Sequence, residues 1–141
     1  MSRRLLQITV GVLCLVPLGA GFAGVMLGPR LVGGLAEGAR DLDSHFRYLS
    51  GLLLGLGLVF ASAVPAIERR VARFRLAALV VVCGGFGRLV ALPMSGMPGA
   101  AHLAALVMEL GVVPLLVVWQ AQVARAAKRA KRQAASLRPP A

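Results

Sequence analysis

Two ionisable residues, Arg88 and Glu109, lie inside otherwise apolar stretches of the chain. A charge within a membrane helix is costly, so each is a candidate for function and for a partner of opposite sign. Four more polar residues, His45, Arg47, Tyr48 and His102, fall near the ends of apolar stretches. Guanidinium and imidazole N–H groups, a phenol and one carboxylate could together hold a small ligand by hydrogen bonds. Nothing in the sequence makes them catalytic: it has no nucleophile elbow, no phosphate loop and no zinc motif. Met94 and Met97 beside His102 would offer thioether and imidazole ligands to copper(I). They sit in a short turn of Pro, Ser and Gly, however, and no metal is assigned. Cys14 and Cys83 each lie inside an apolar stretch and form neither a disulfide framework nor a metal spacing.

The elements that must position these residues follow from hydropathy. Hydrophobic residues make up 58% of the 141, and mean hydropathy is +0.80; soluble domains have roughly 45–50% apolar residues. The formal net charge of +11 would suit a nucleic-acid partner if it were spread over the surface. Instead the basic residues collect at the N-terminus, in one central segment and in the C-terminal tail, which is the layout of membrane spans with basic flanks. Nucleic acid is therefore excluded as a partner, and the lipid bilayer takes its place.

A membrane helix needs about 20 apolar residues. Four such stretches occur, at residues 5–27, 46–67, 76–92 and 100–120, and they form a transmembrane domain over residues 1–120. Each must be helical, because four spans are too few for a closed barrel and lipid tolerates no other unsatisfied backbone. The fold class is thus all-α, a transmembrane four-helix bundle. The first stretch follows Arg3 and Arg4 as a signal peptide would, but it is too long for one and lacks a clean cleavage site; it reads as an uncleaved span. Pro17, Pro65 and Pro114 each predict a kink or a gap in the hydrogen-bond ladder. Gly51 and Gly55 on the second span, with glycines on the first and third, predict close helix contacts.

Orientation follows from arginine. Arg69, Arg70, Arg73 and Arg75 crowd the loop between spans two and three beside a lone Glu68, whereas the segment from Gly28 to Ser44 balances its charges and that from Pro93 to Gly99 has none. Basic segments stay cytoplasmic, which predicts both termini inside. Residues 121–141 form a basic cytoplasmic tail, with Arg125, Lys128, Arg129, Lys131, Arg132 and Arg138. It continues the last helix towards anionic lipid headgroups. Trp119 and Tyr48 suit the two interfaces.

In this topology all six candidate residues fall in the outer half of the membrane. Spans three and four form an antiparallel hairpin. Arg88 lies four residues from the outer end of its span, about 6 Å deep, and Glu109 nine residues from its own, about 13–14 Å deep. Helical side chains lean towards their own N-terminus, so these two lean towards each other. His102 lies seven residues before Glu109. An outer-facing polar pocket lined by His45, Arg47, Tyr48, Arg88, His102 and Glu109 is the resulting expectation.

The run Asp43-Ser44-His45-Phe46-Arg47-Tyr48-Leu49-Ser50-Gly51, the segment Gly84 to Leu89 around Arg88, and Glu109-Leu110 resemble a bacterial four-span family catalogued as domain of unknown function 4345. The resemblance covers about Leu5 to Gln120. It implies the four-helix fold and a bacterial cytoplasmic membrane, and it supplies no activity. More loosely, the architecture is similar to DoxX-like small membrane proteins, some of them tied to quinone-dependent redox complexes. The favoured reading is a non-catalytic accessory protein whose pocket binds a small ligand, a lipid headgroup or a partner membrane protein, with no cofactor. The alternative is a quinone-interacting redox subunit or membrane enzyme.

Overall fold

A computed structural model describes residues 2–33 and 39–136, and the described part is helical almost throughout. Glu37, Arg138, Pro139 and Pro140 lie outside the described residues. The helices are α1 (Arg3–Leu27), α2 (Arg40–Ala63), α3 (Val71–Ser95), α4 (Ala100–Val107) and α5 (Val113–Ser136), with a π-helical segment, Met108–Val112, joining the last two. With that segment, α4 and α5 run as one rod, so among the described residues four rods are long and apolar enough to cross a membrane. Their large apolar side chains stay on the outside: Leu15, Leu76 and Leu115 are each about two-thirds exposed. In water this would be untenable; in lipid it is the expected surface. The chain is a multi-pass membrane protein.

Every span is longer than its hydropathy suggests. Helix α2 begins six residues before Phe46, because Asp41 and Asp43 in its first turn complement the positive end of the helix dipole. Helix α3 overruns the expected end at Leu92 and carries Pro93 within it. Pro93 has no N–H, so the Leu89 carbonyl four residues back loses its usual helical donor, yet the helix runs on to Ser95. The helix stops at Gly96, whose φ is +83° and whose N–H bonds the Leu92 carbonyl. At the other end of the scale, Pro65 truncates α2 into a 3₁₀ turn, Val64–Ala66.

The chain divides into two compact units. In the first, Ile8–Val64, α1 packs against α2 through small residues. A Cβ added at Gly21 would lie 2.5 Å from the Leu54 nitrogen, and one at Gly57 would lie 3.0 Å from Leu18 Cδ2. Gly24 sits against Ser50. The predicted Gly51 and Gly55 pair is not the contact: Gly51 reaches only Val25, at 3.9 Å, and Gly55 meets nothing within 4 Å. Pro17 lies inside an uninterrupted α1.

The second unit combines the residues up to Gln7 with those from Pro65 onward. Here α3 packs on α5. Phe74, Ala77 and Ala78 form the buried stripe of α3, and Leu116, Gln120, Val123 and Ala124 that of α5. The turn that precedes α3 is tied down by polar groups. Arg3 Nη2 and Gln7 Nε2 both donate to the Pro65 carbonyl, at 3.0 and 3.1 Å. The fully buried Gln120 donates to the Ile67 carbonyl at 2.9 Å. The buried Glu68 carboxylate lies 2.9 Å from Arg3 Nε and 3.6 Å from Arg69 Nε.

Candidate functional site

Arg88 stands seven residues before Ser95, the last residue of α3, and Glu109 nine residues after Ala100, the first of α4. Because α3 is longer than expected, Arg88 lies about 10 Å from its helix end, close to the level of Glu109 at about 13–14 Å. Two local features bring the side chains together. The first is Gly85, one turn before Arg88: a Cβ there would sit 2.9 Å from Glu109 Cβ and 2.8 Å from Leu110 Cδ2. Only glycine lets α3 come this close. Gly84 and Gly87, by contrast, meet nothing within 4 Å.

The second is the π segment itself. The Val113 N–H bonds the Met108 carbonyl, five residues back, and Pro114 follows with no N–H to give. A wider turn next to a proline absorbs the missing donor and rotates the residues on it. Glu109 is the second residue of that turn. The gap expected at Pro114 is thus expressed one turn upstream, at the charged residue.

Arg88 Nε hydrogen-bonds Glu109 Oε1 at 3.1 Å and lies 3.1 Å from Oε2 as well. The contact is side-on. It uses one of the five guanidinium donors, and neither Nη1 nor Nη2 hydrogen-bonds any described residue. The Glu109 side chain is 18% exposed and that of Arg88 is 42%. The carboxylate therefore forms the sheltered half of the pair and the guanidinium the open half.

That open half lines a cavity of about 210 Å³. Along α3 its wall is Arg88, Ala91, Leu92 and Ser95, which is one helix face at i, i+3, i+4 and i+7, and along α4 it is His102 and Leu106. Gly96, Met97 and Pro98 of the hairpin turn complete the wall, which is mostly apolar, with Arg88, Ser95 and His102 as its polar side chains. Neither Ser95 Oγ nor the His102 ring has a hydrogen-bond partner among the described residues.

The remaining three expected site residues belong to the other unit. Arg47 is engaged at four of its five donors: Nε and Nη2 bond the two oxygens of Asp43, and Nη1 bonds the carbonyls of Val25 and Met26 at 2.6 and 3.1 Å. It closes the C-terminal end of α1, where unpaired carbonyls and the negative pole of the helix favour a cation. Gly28 makes room for it, with φ of +59°, and a Cβ there would lie 2.5 Å from Arg47 Nη2. His45 and Tyr48 are exposed, and their rings lie 6.3 Å apart at a 32° tilt.

Two features escaped the sequence reading. Asp43 is the partner of Arg47, and the i, i+4 spacing of opposite charges was its signal. Glu68 and Gln120 are polar and buried at the other end of the second unit. Their signal was weaker, one acid among arginines and one amide at the end of a span.

With this geometry in place, comparison with known proteins adds one finding: the family described as "Domain of unknown function (DUF4345)" matches residues 5–120. No curated protein and no solved structure matches the chain.

Proposed function

The chain belongs to the DUF4345 family, and from that premise we propose that it is a non-catalytic accessory protein of the bacterial cytoplasmic membrane, with a ligand-binding site around Arg88 on the outer side. One observation carries this reading: a guanidinium held in place by Glu109 has four of its five N–H donors without a partner among the described residues, at the wall of a cavity. A residue kept only for helix register would be expected to resemble Arg47, with its donors engaged. An intramembrane cation that is oriented but under-used is what a binding site needs.

The outward placement rests on charge. Arg69, Arg70, Arg73 and Arg75 flank the start of α3, and Arg3 and Arg4 the start of α1, so both termini lie in the cytoplasm and the α3–α4 turn outside. The basic end of α5 then meets anionic headgroups of the inner leaflet. A second reading, a quinone-interacting subunit, draws on the apolar wall of Ala91, Leu92 and Leu106 between two donors, Arg88 and His102.

The test is native mass spectrometry of the protein extracted in mild detergent, wild type beside Arg88→Lys. A small molecule retained by the wild type and lost from the variant is expected. Identical spectra from two equally folded proteins would rule out the site.

A further inference from the structure

We infer that the cavity beside Arg88 receives a phosphate group, carried by a phospholipid headgroup or free in solution. This rests on the reading of the cavity as a binding site. The polar groups of the wall are donors in excess of acceptors. Arg88 brings two Nη groups in the fork that matches two oxygens of an oxyanion. Ser95 brings a hydroxyl and His102 an imidazole, from two different helices, and neither is otherwise engaged among the described residues. Glu109, the carboxylate in the neighbourhood, is already bound at Nε and fixes the plane of the guanidinium. Donors on two helices around one cavity suit a tetrahedral oxyanion better than a planar carboxylate with only two oxygens.

Charge and position favour the lipid as the source. Arg88 and Glu109 cancel formally, so the site suits the single charge of a phosphodiester better than the charge of about −1.5 to −2 on a phosphate monoester at neutral pH. Helix α3 has 25 residues and spans about 37 Å, more than the roughly 30 Å of hydrocarbon. The cavity occupies its last two turns, where hydrocarbon gives way to headgroups. Ala91, Leu92 and Leu106 offer the apolar contact that a glycerol backbone and the first methylenes would need.

The experiment uses the full chain in neutral detergent, titrated separately with phosphatidylglycerol, with a diacylglycerol glucoside that lacks phosphate, with inorganic phosphate and with a short-chain quinone. The variants are Arg88→Lys, the double change Arg88→Gln with Glu109→Gln, and Ser95→Ala, which lies at the helix end and spares the ion pair. Phosphatidylglycerol affinity is expected to fall about tenfold in Arg88→Lys, which corresponds to one charged hydrogen bond. In Ser95→Ala it is expected to fall about threefold. Simultaneous neutralisation of Lys128, Arg129, Lys131 and Arg132 should leave that Arg88-dependent component in place. Competition by inorganic phosphate at equal affinity would assign the free ion instead of the lipid, with the phosphate inference intact. Equal affinity for the glucoside would overturn the inference. Arg88-dependent binding of the quinone alone would overturn it too, while keeping the site. No Arg88 dependence for any probe would remove both the inference and the site.

Discussion

Arg47 and Arg88 show how one residue type takes two roles in a membrane protein. Arg47 is spent on Asp43 and on the end of α1, whereas Arg88 is anchored by a single nitrogen. Removing one member of the Arg88–Glu109 pair should cost about 3 kcal/mol, the scale for orphaning a charge in a low-dielectric interior. Arg88→Leu and Glu109→Leu should therefore each lower thermal stability in detergent. The double change to leucine should recover much of the loss, since two apolar groups carry no desolvation penalty. Strictly additive losses in a double-mutant cycle would show that the residues do not interact. The pair was legible in the sequence, because charges inside apolar runs are conspicuous and helical side chains lean in known directions. The commitment of Arg47 was only half legible: Asp43 four residues before it was a signal, but the two backbone carbonyls it also bonds are marked by no residue code.

Among the elements, the glycines and the π segment decide what touches what. Sequence alone marks many glycines in the spans, but only the structure shows which ones are in contact. Gly85 is against Glu109 and Leu110, while Gly84 and Gly87 are open. Gly85→Ala is expected to destabilise by about 1–3 kcal/mol through overpacking and to loosen the ion pair. Gly84→Ala should be close to neutral, and equal melting temperatures for the two variants would refute the contact. Gly28→Ala should be unfavourable for two reasons, its left-handed φ and the Arg47 side chain beside it. Melting curves that show no loss would mean that Arg47 does not close α1. Helix lengths were underestimated from hydropathy because polar first and last turns, such as those with Asp41 and Ser95, remain helical outside the apolar window.

For the whole molecule, the four spans were readable because apolar length and charge placement are properties of the chain rather than of its packing. The topology makes a direct prediction. Reporter fusions in the Arg69 to Arg75 segment and after Arg132 should read cytoplasmic, and one near Ser95 should read external. An external signal at the central arginines would invert the arrangement. Residues 133–136 are exposed, so deleting residues 133–141 should leave insertion and yield unchanged. Failure of the truncated chain to accumulate would give the tail a structural role. The polar cluster of Arg3, Glu68 and Gln120 was not foreseen, because it joins positions far apart in the chain whose neighbours give no periodic signal.

Helix α5 has a mechanical side. From Val113 to Ser136 it is one unbroken rod of 24 residues, about 36 Å long, and it starts where the π turn ends. Pro114 and the wide turn lie at that start, next to Glu109. A swing of only about 10° there would carry Ser136 through about 6 Å, given the rise per residue of the helix. The near end of the rod sits against the charged pair and its far end carries the basic side chains. A spin label at Ser136 would therefore register, magnified, any shift in how Glu109 is held.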